Sequence, residues 1–275
     1  MVIPARTMSQ LLTDGLNTLT LCWRSLVAPA VGASLVLGFL TMLIFVTTDS
    51  LALFEIVLED PESLEALTNE ELWELIRPLI TAGVLAFVAQ TVVFSYIAVA
   101  SHRVVASRVA GEVVSGGHAG RFALRRMGTM IVVAVIGTLL TVAGLFLFVI
   151  PGIWVAGSLT VVASVVAVEP LGATSAIGRS FRLVRGRWWP TFGFVILVGL
   201  FSGVAIQLVQ LLAVPLLFVG TPGVALGLAY VFGILVQGLV AAAVAAMITF
   251  VYIDLRARQE TLSADSLAIA PATPL

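Results

Sequence analysis

Glu169-Pro-Leu-Gly-Ala-Thr-Ser-Ala-Ile-Gly-Arg-Ser-Phe-Arg-Leu-Val-Arg-Gly-Arg-Trp-Trp-Pro190 stands between two long apolar runs. At about 100° per residue, Ile177, Phe181, Val184 and Trp188 share one helical face, Arg179 and Arg182 lie roughly opposite, and Arg185 and Arg187 flank the apolar stripe. This is the pattern of a helix lying in a membrane interface, with its apolar face toward acyl chains and its guanidinium groups among phosphates. Trp188 and Trp189 close it at headgroup depth, where an indole keeps its N–H wet and its ring dry. Pro190 opens the next apolar run, since the first turn of a helix needs no N–H there. The stretch cannot itself cross a bilayer, because each of its four arginines would cost about 2.5–3.5 kcal/mol at the centre. It therefore divides spans that lie on either side of it.

Working outward, 60% of the 275 residues are hydrophobic and the mean hydropathy is +1.14, beyond the about 45–50% apolar content of soluble domains. Several charge-free runs approach the ~20 residues needed to cross a ~30 Å hydrocarbon core. The expected fold class is all-α: a polytopic membrane helix bundle of six transmembrane helices in three hairpins, with basic amphipathic interfacial helices. A single membrane domain over 1–258 is expected, followed by a disordered tail over 259–275. The first 26 residues are interrupted by Arg6, Asp14 and Arg24 and do not read as a cleavable signal peptide. Cys22 is the single cysteine, so no internal disulfide is available, and no Cys/His spacing suggests a metal. The net charge of −1 hides strong segregation of its members.

In chain order, residues 7–24 read as an amphipathic helix with a capping box, Thr7 to Gln10. It feeds a first span over about 26–47. Residues 48–77 are acidic, with nine carboxylates against Arg77. Asp60-Pro61 and Thr68-Asn-Glu-Glu71 read as helix starts within it. The carboxylates lack the alternate-position spacing of a calcium loop, so a solvated outer loop is expected rather than a metal site. A second span over about 78–100 precedes a basic segment, 101–127, with His102 and His118. Spans three and four, about 128–149 and 153–168, are expected to turn at Pro151-Gly152. Spans five and six, about 191–218 and 224–252, turn at Gly220-Thr-Pro-Gly223. Residues 7–100, 118–168 and 174–253 resemble three loose repeats, each a basic helix feeding a hairpin.

The fourteen cationic side chains are all arginine. With both termini inside, every one but Arg77 falls in a cytoplasmic segment, which sets the expected orientation by the positive-inside rule.

The run Phe146-Leu-Phe-Val-Ile-Pro-Gly-Ile-Trp, then Val168-Glu-Pro-Leu-Gly-Ala, then Arg179-Ser-Phe-Arg-Leu-Val-Arg-Gly-Arg-Trp-Trp resembles, in order and spacing, a prokaryotic membrane family. It is the group related to the membrane domain of glycerophosphoryl diester phosphodiesterases. The likeness covers roughly residues 120–250. It implies a six-span fold in the prokaryotic cytoplasmic membrane. The diesterases keep their catalytic groups in a separate soluble domain, so no catalytic residue and no cofactor carries over.

No carboxylate, His or Arg falls deep in an expected span, whereas coupled transporters commonly keep one there. The polar residues at depth are Gln90, Gln207, Gln210 and Gln237, a candidate polar bundle interior. Interhelical hydrogen bonding is the favoured reading of these, and a solute pathway the other. Gly199/Gly203 and Gly223/Gly227 permit close helix approach. His102 and His118 are expected as solvated or phosphate-facing loop residues. Glu169 and Asp254 are expected to pair with Arg179 or Arg256. The site residues expected at the lipid interface are Arg179, Arg182, Arg185, Arg187, Trp188 and Trp189, with Phe181 inserted. The function so implied is non-enzymatic: a membrane protein acting through its bundle and basic face on anionic lipid headgroups or a membrane-protein partner, with no nucleic acid. A transporter or channel component for a small solute is the alternative.

Overall fold

The computed structural model describes residues 3–48, 67–219, 222–263 and 266–267. Among these, 87% are helical and there is no β-strand. Helix α1 (Met8–Thr47) begins at the expected capping box. The Gln10 N–H donates to Thr7 Oγ1 at 3.4 Å and the Thr7 N–H to Gln10 Oε1 at 2.8 Å. The expected interfacial helix over 7–24 and the first span are one continuous helix of 40 residues. Pro29, expected at the span entry, sits inside it and is tolerated. Lacking an N–H, Pro29 frees the carbonyl of Ser25 from helix bonding. A Cβ on Gly116 would stand 2.8 Å from that Ser25 oxygen, so only glycine lets the start of the third helix come in there.

Helix α2 (Asn69–Val109) opens on the Thr68/Glu71 capping box, with the Thr68 N–H donating to Glu71 Oε2 at 2.9 Å. The expected acidic loop is thus helical from residue 69, and its residues 49–66, including Asp60-Pro61, lie outside the described residues. At its far end α2 runs nine residues beyond the expected limit of the second span and stops just before Gly111, whose φ of +91° suits glycine. Helix α3 (Gly116–Leu147) is capped by Ser115, whose Oγ accepts from the His118 N–H at 3.3 Å. The α3/α4 break falls at Phe148, in extended conformation, and not at Pro151-Gly152. Pro151 instead lies in the first turn of α4 (Val149–Ser158), where a missing N–H costs nothing. Helices α5 (Val162–Val168), α6 (Ala173–Val184), α7 (Trp188–Gln210) and α8 (Pro222–Gln259) follow, and a 3-10 segment, Leu211–Phe218, extends α7 toward the last turn. Residues 220–221 of that turn lie outside the described residues.

Six segments are long and apolar enough to cross a membrane: Met8–Thr47, Asn69–Val109, Gly116–Leu147, Val149–Val168, Trp188–Leu216 and Gly227–Gln259. Their flanks face outward with large apolar side chains such as Phe39, Phe87, Phe146 and Phe201. A bilayer hides such a surface, whereas water-soluble monomers do not carry contiguous apolar patches beyond about a few hundred Å². The chain is an integral, multi-pass membrane protein.

Helix α8 is the axis of the bundle and touches α1, α2, α5, α6, α7 and the 3-10 segment. It runs antiparallel to α1: Gly15 meets Met247, Gly38 meets Val231, and Gly227 meets Met42. The α1/α8 crossing is closest at Gly238, where a Cβ would fall 1.9 Å from Ser34 Oγ. The expected close approach at Gly199/Gly203 is absent, as no neighbouring element comes within 4 Å of where a Cβ would stand on either. The buried core gathers toward one end, around Val99–Val105, Val161–Ala167, Leu183–Val184 and Phe250–Leu255. Beyond Gly137 in α3 and Val198 in α7 no residue of those helices is buried. The expected disordered tail is also partly ordered. Leu262 and Leu267 are buried in the core, and the Ile3 N–H donates to the Leu262 carbonyl at 2.9 Å.

Candidate functional site

The start of α1, the end of α2, the start of α3, all of α6, the start of α7 and the end of α8 meet at the packed end of the bundle. The arginines that looked dispersed along the chain are brought together there. Two ion-pair clusters organise them. In the first, Arg179 Nε donates to both oxygens of Glu169, at 3.2 and 3.1 Å. Its Nη2 donates to Glu260 Oε1. Tyr252 Oη donates to Glu169 Oε1 at 2.8 Å, and Arg256 Nη1 donates to Tyr252 Oη at 3.0 Å. Arg256 Nε closes the ring on Glu260 Oε2 at 3.2 Å. Two cations and two anions are balanced around one phenol, tying α6 to α8. The expected pairing of Glu169 with Arg179 or Arg256 is found with both.

In the second cluster Asp254 uses both oxygens, accepting the Arg6 backbone N–H at 2.6 Å and Arg258 Nε at 2.8 Å. Arg258 Nη2 donates to the Arg6 carbonyl, and Arg6 Nε to Asp14 Oδ2 at 2.7 Å. The segment before α1 is thereby fastened to the end of α8. Behind both clusters, Arg103 Nη1 donates to the Ala167 carbonyl, while Arg126 donates to the carbonyls of Glu169 and Leu171. Ala167 and Glu169 belong to the end of α5 and Leu171 to the connection after it, and cations suit the negative end of the α5 dipole.

Glu260 follows α8 and carries a pH signature. Burial works to raise its carboxyl, and the Arg179 and Arg256 guanidiniums outweigh that and hold it below the ordinary carboxylate value. A depressed folded value stabilises the fold at pH above the unfolded glutamate value, about 4.3. That stabilisation disappears as the pH falls through the lower folded value. The thermal stability of Glu260→Gln in detergent is therefore expected to fall less on acidification below pH ~4.3 than that of the parent chain.

The lipid-interface set divides. Arg182, Arg185 and Trp189 are exposed, and Arg187 is partly so. Arg179 is a correction: its guanidinium is spent on Glu169 and Glu260, and its side chain is 15% exposed. The apolar stripe of α6 is a second correction. Ile177 and Val184 are buried in the core, and Phe181 lies against the Trp154 ring at 5.4 Å. Trp188 stacks on Phe192 and donates Nε1–H to the Trp154 carbonyl at 3.1 Å. It lies over Gly157, where a Cβ would stand 2.8 Å from the ring. The stripe faces protein, because an apolar period of 3.6 residues reports that a face is dry and not what dries it.

The glutamines also divide. Gln90 and Gln207 are exposed on the outside, while Gln210 and Gln237 line a shallow cleft of about 320 Å³ with Tyr230. His118 is exposed, as expected, but in the first turn of α3 and not in a loop. His102 is not a loop residue. It is buried in α2, with Nδ1 2.8 Å from Thr249 Oγ1 and 3.1 Å from Ser164 Oγ. Thr249 donates onward to the Ala245 carbonyl, so its oxygen is left to accept from His102. This joins α2, α5 and α8, and neither His102 nor Ser164 lines any of the clefts described here. The signal that could have placed it was the unbroken helix-compatible sequence Ser95–Val109, which holds no Gly or Pro. Arg103 beside it is also buried, with its guanidinium over the Phe122 ring at 4.9 Å.

Comparison of the chain with protein-family models, with curated proteins and with solved structures finds no match.

Proposed function

We propose that this is a non-enzymatic protein of the prokaryotic cytoplasmic membrane, with both termini cytoplasmic, whose arginine-rich end engages anionic lipid headgroups. One observation carries this reading. At that end Asp14, Glu169, Asp254 and Glu260 are occupied by Arg6, Arg179, Arg256 and Arg258, and Glu112 is the one described carboxylate there outside these pairs. Arg24, Arg108, Arg121, Arg125, Arg182 and Arg185 are exposed and have no carboxylate partner among the described residues. A row of unneutralised guanidiniums at the foot of apolar spans suits an anionic leaflet, where each contributes about 1 kcal/mol. The same distribution supports the orientation, by the positive-inside rule. The motif order, which resembles that of the membrane domain of the glycerophosphoryl diester phosphodiesterase group, supports the location.

In a Cys22→Ala background, cysteine at Val113, which is 81% exposed, is expected to label from the cytoplasmic side. Cysteine at Trp73, which is 56% exposed, is expected to label from the opposite side. Labelling of both from one side would remove the topology. In bilayers of mixed phosphatidylglycerol and phosphatidylcholine, the lipid shell of the parent chain is expected to be enriched in phosphatidylglycerol. Replacing Arg24, Arg121, Arg125, Arg182 and Arg185 together by glutamine should bring it close to the bulk composition.

The Gln210/Gln237 cleft favours a second reading, a pathway component for a small polar solute. A flux assay in proteoliposomes separates the two. Flux lost in Gln210→Leu and retained in the five-arginine variant would establish the pathway.

A further inference from the structure

A cleft of about 310 Å³ opens between the segment preceding α1, the start of α7 and the end of α8. Three arginines, Arg6, Arg187 and Arg258, line it, against the one carboxylate Asp254. Asp254 has both oxygens engaged, by the Arg6 N–H and by Arg258. Arg6 spends its Nε on Asp14, and its Nη1 is buried with no partner. Arg187 caps α7 without any side-chain cap bond, and no carboxylate among the described residues pairs with it. Two helix starts converge on the same space, since Thr7 and Met8 at the head of α1 and Arg187 at the head of α7 all line it. Helix starts carry partial positive charge suited to an anion, and this dipole remains although the Thr7/Gln10 capping box and Pro190 remove some of the free N–H groups. The remaining wall is apolar, with Met8 and Pro190 exposed at its surface and Leu11 and Phe194 buried behind it.

We propose that this cleft is a discrete binding site for the phosphate group of an anionic amphiphile, held by Arg187 beside Arg6 and Arg258, with the attached chain lying along Met8 and Pro190. The proposal rests on reading the arginine-rich end as a lipid-facing surface and deepens it, from a diffuse attraction to one defined pocket. Cleft size agrees: ~300 Å³ is the lower limit for small-ligand sites and suits a headgroup rather than a whole lipid. Fork-shaped guanidinium donors match phosphate oxygens two at a time.

The test uses the full chain in nanodiscs of phosphatidylcholine with a minority of phosphatidylglycerol, released for native mass spectrometry. The parent chain is expected to retain one phosphatidylglycerol. Arg187→Gln, which removes no bond within the protein, should lower that retention by about tenfold, and Arg187→Lys should restore part of it. Arg182→Gln/Arg185→Gln should leave the retained lipid in place while lowering the enrichment of the surrounding shell. Retention unchanged in Arg187→Gln overturns the cleft, and the broader reading survives if the shell enrichment still falls in the double variant. Absence of any phosphatidylglycerol preference in the parent chain overturns both. In nanodiscs of phosphatidylcholine alone, inorganic phosphate is expected to give no Arg187-dependent thermal stabilisation. Stabilisation there would assign the site to a soluble phosphate compound and overturn the lipid as its occupant.

Discussion

Glu169→Ala is expected to cost about 3 kcal/mol of stability, the lower end of the range for removing one member of a buried ion pair, because this pair is part-buried. Glu169 accepts from Arg179 twice and from Tyr252 once, and stands 3.9 Å from Arg256. Side-chain exposure at the pair is 16% and 15%, so water cannot take over the lost bonds in full. The variant leaves Arg179 and Arg256 sharing Glu260 alone, with a surplus cation in a half-dry site. Thermal unfolding in detergent, followed by size-exclusion fluorescence, measures the loss. Removing the whole unit should hurt less than removing one member, because the surplus charge goes too. Glu169→Leu/Arg179→Met is therefore expected to be more stable than Glu169→Ala. Equal loss in both would mean that Glu169 acts by packing and not through its charge.

Gly152→Val is expected to be the other most damaging single change. A Cβ at Gly152 would stand 2.7 Å from the Leu145 backbone nitrogen and 2.4 Å from Leu145 Cγ. A Cβ at Gly144 would in turn stand 2.9 Å from Gly152 Cα. The α3/α4 hairpin thus closes backbone to backbone, and backbone cannot yield as a flexible side chain can. Overpacking typically costs about 1–3 kcal/mol, and the branched side chain is expected to reach the upper part of that range or open the hairpin. Gly199→Ala and Gly203→Ala make the contrast. They enter open space inside a helix, where alanine is favoured over glycine by about 0.8–1.0 kcal/mol. Those two should leave stability level or raised in the same assay.

Elements governed by local chemistry were legible in advance. Both capping boxes form as written, because Thr7 with Gln10 and Thr68 with Glu71 satisfy one another within four residues. The six apolar stretches were readable because bilayer thickness sets a length that few other structures need. The partners of charged side chains were readable only where they ended neighbouring spans, as with Glu169 and Arg179. What escaped depended on distant parts of the chain. His102 and Arg103 read as loop residues because a polar cluster after an apolar run usually ends a span, yet Thr249 and Ser164 receive the imidazole. The stripe on α6 read as lipid-facing because periodicity carries no label for its partner. Leu262 and Leu267 fell in a tail expected to be disordered because their core is made by residues far upstream. The cleft at Arg187 was invisible for the same reason. Its arginines stand at positions 6, 187 and 258, and only the antiparallel path of α1 and α8 unites them.

The fastening of Arg6 to Asp254 spans 248 residues, and it bears on how the chain is made. A ribosome releases α1 into the membrane long before α8 exists, so the face of α1 that belongs against Met247 and Val231 must wait among lipids or an insertion partner. Contacts of such sequence separation close late, since the loop entropy has to be met before they reward it. Synthesis halted ahead of α8 would leave α1 to α7 threaded but unclasped, with Asp14 and Arg6 holding only each other. Helix α8 is then the step that covers this face of α1, and without it the groove beside Gly15, Gly38 and Ser34 stays unfilled.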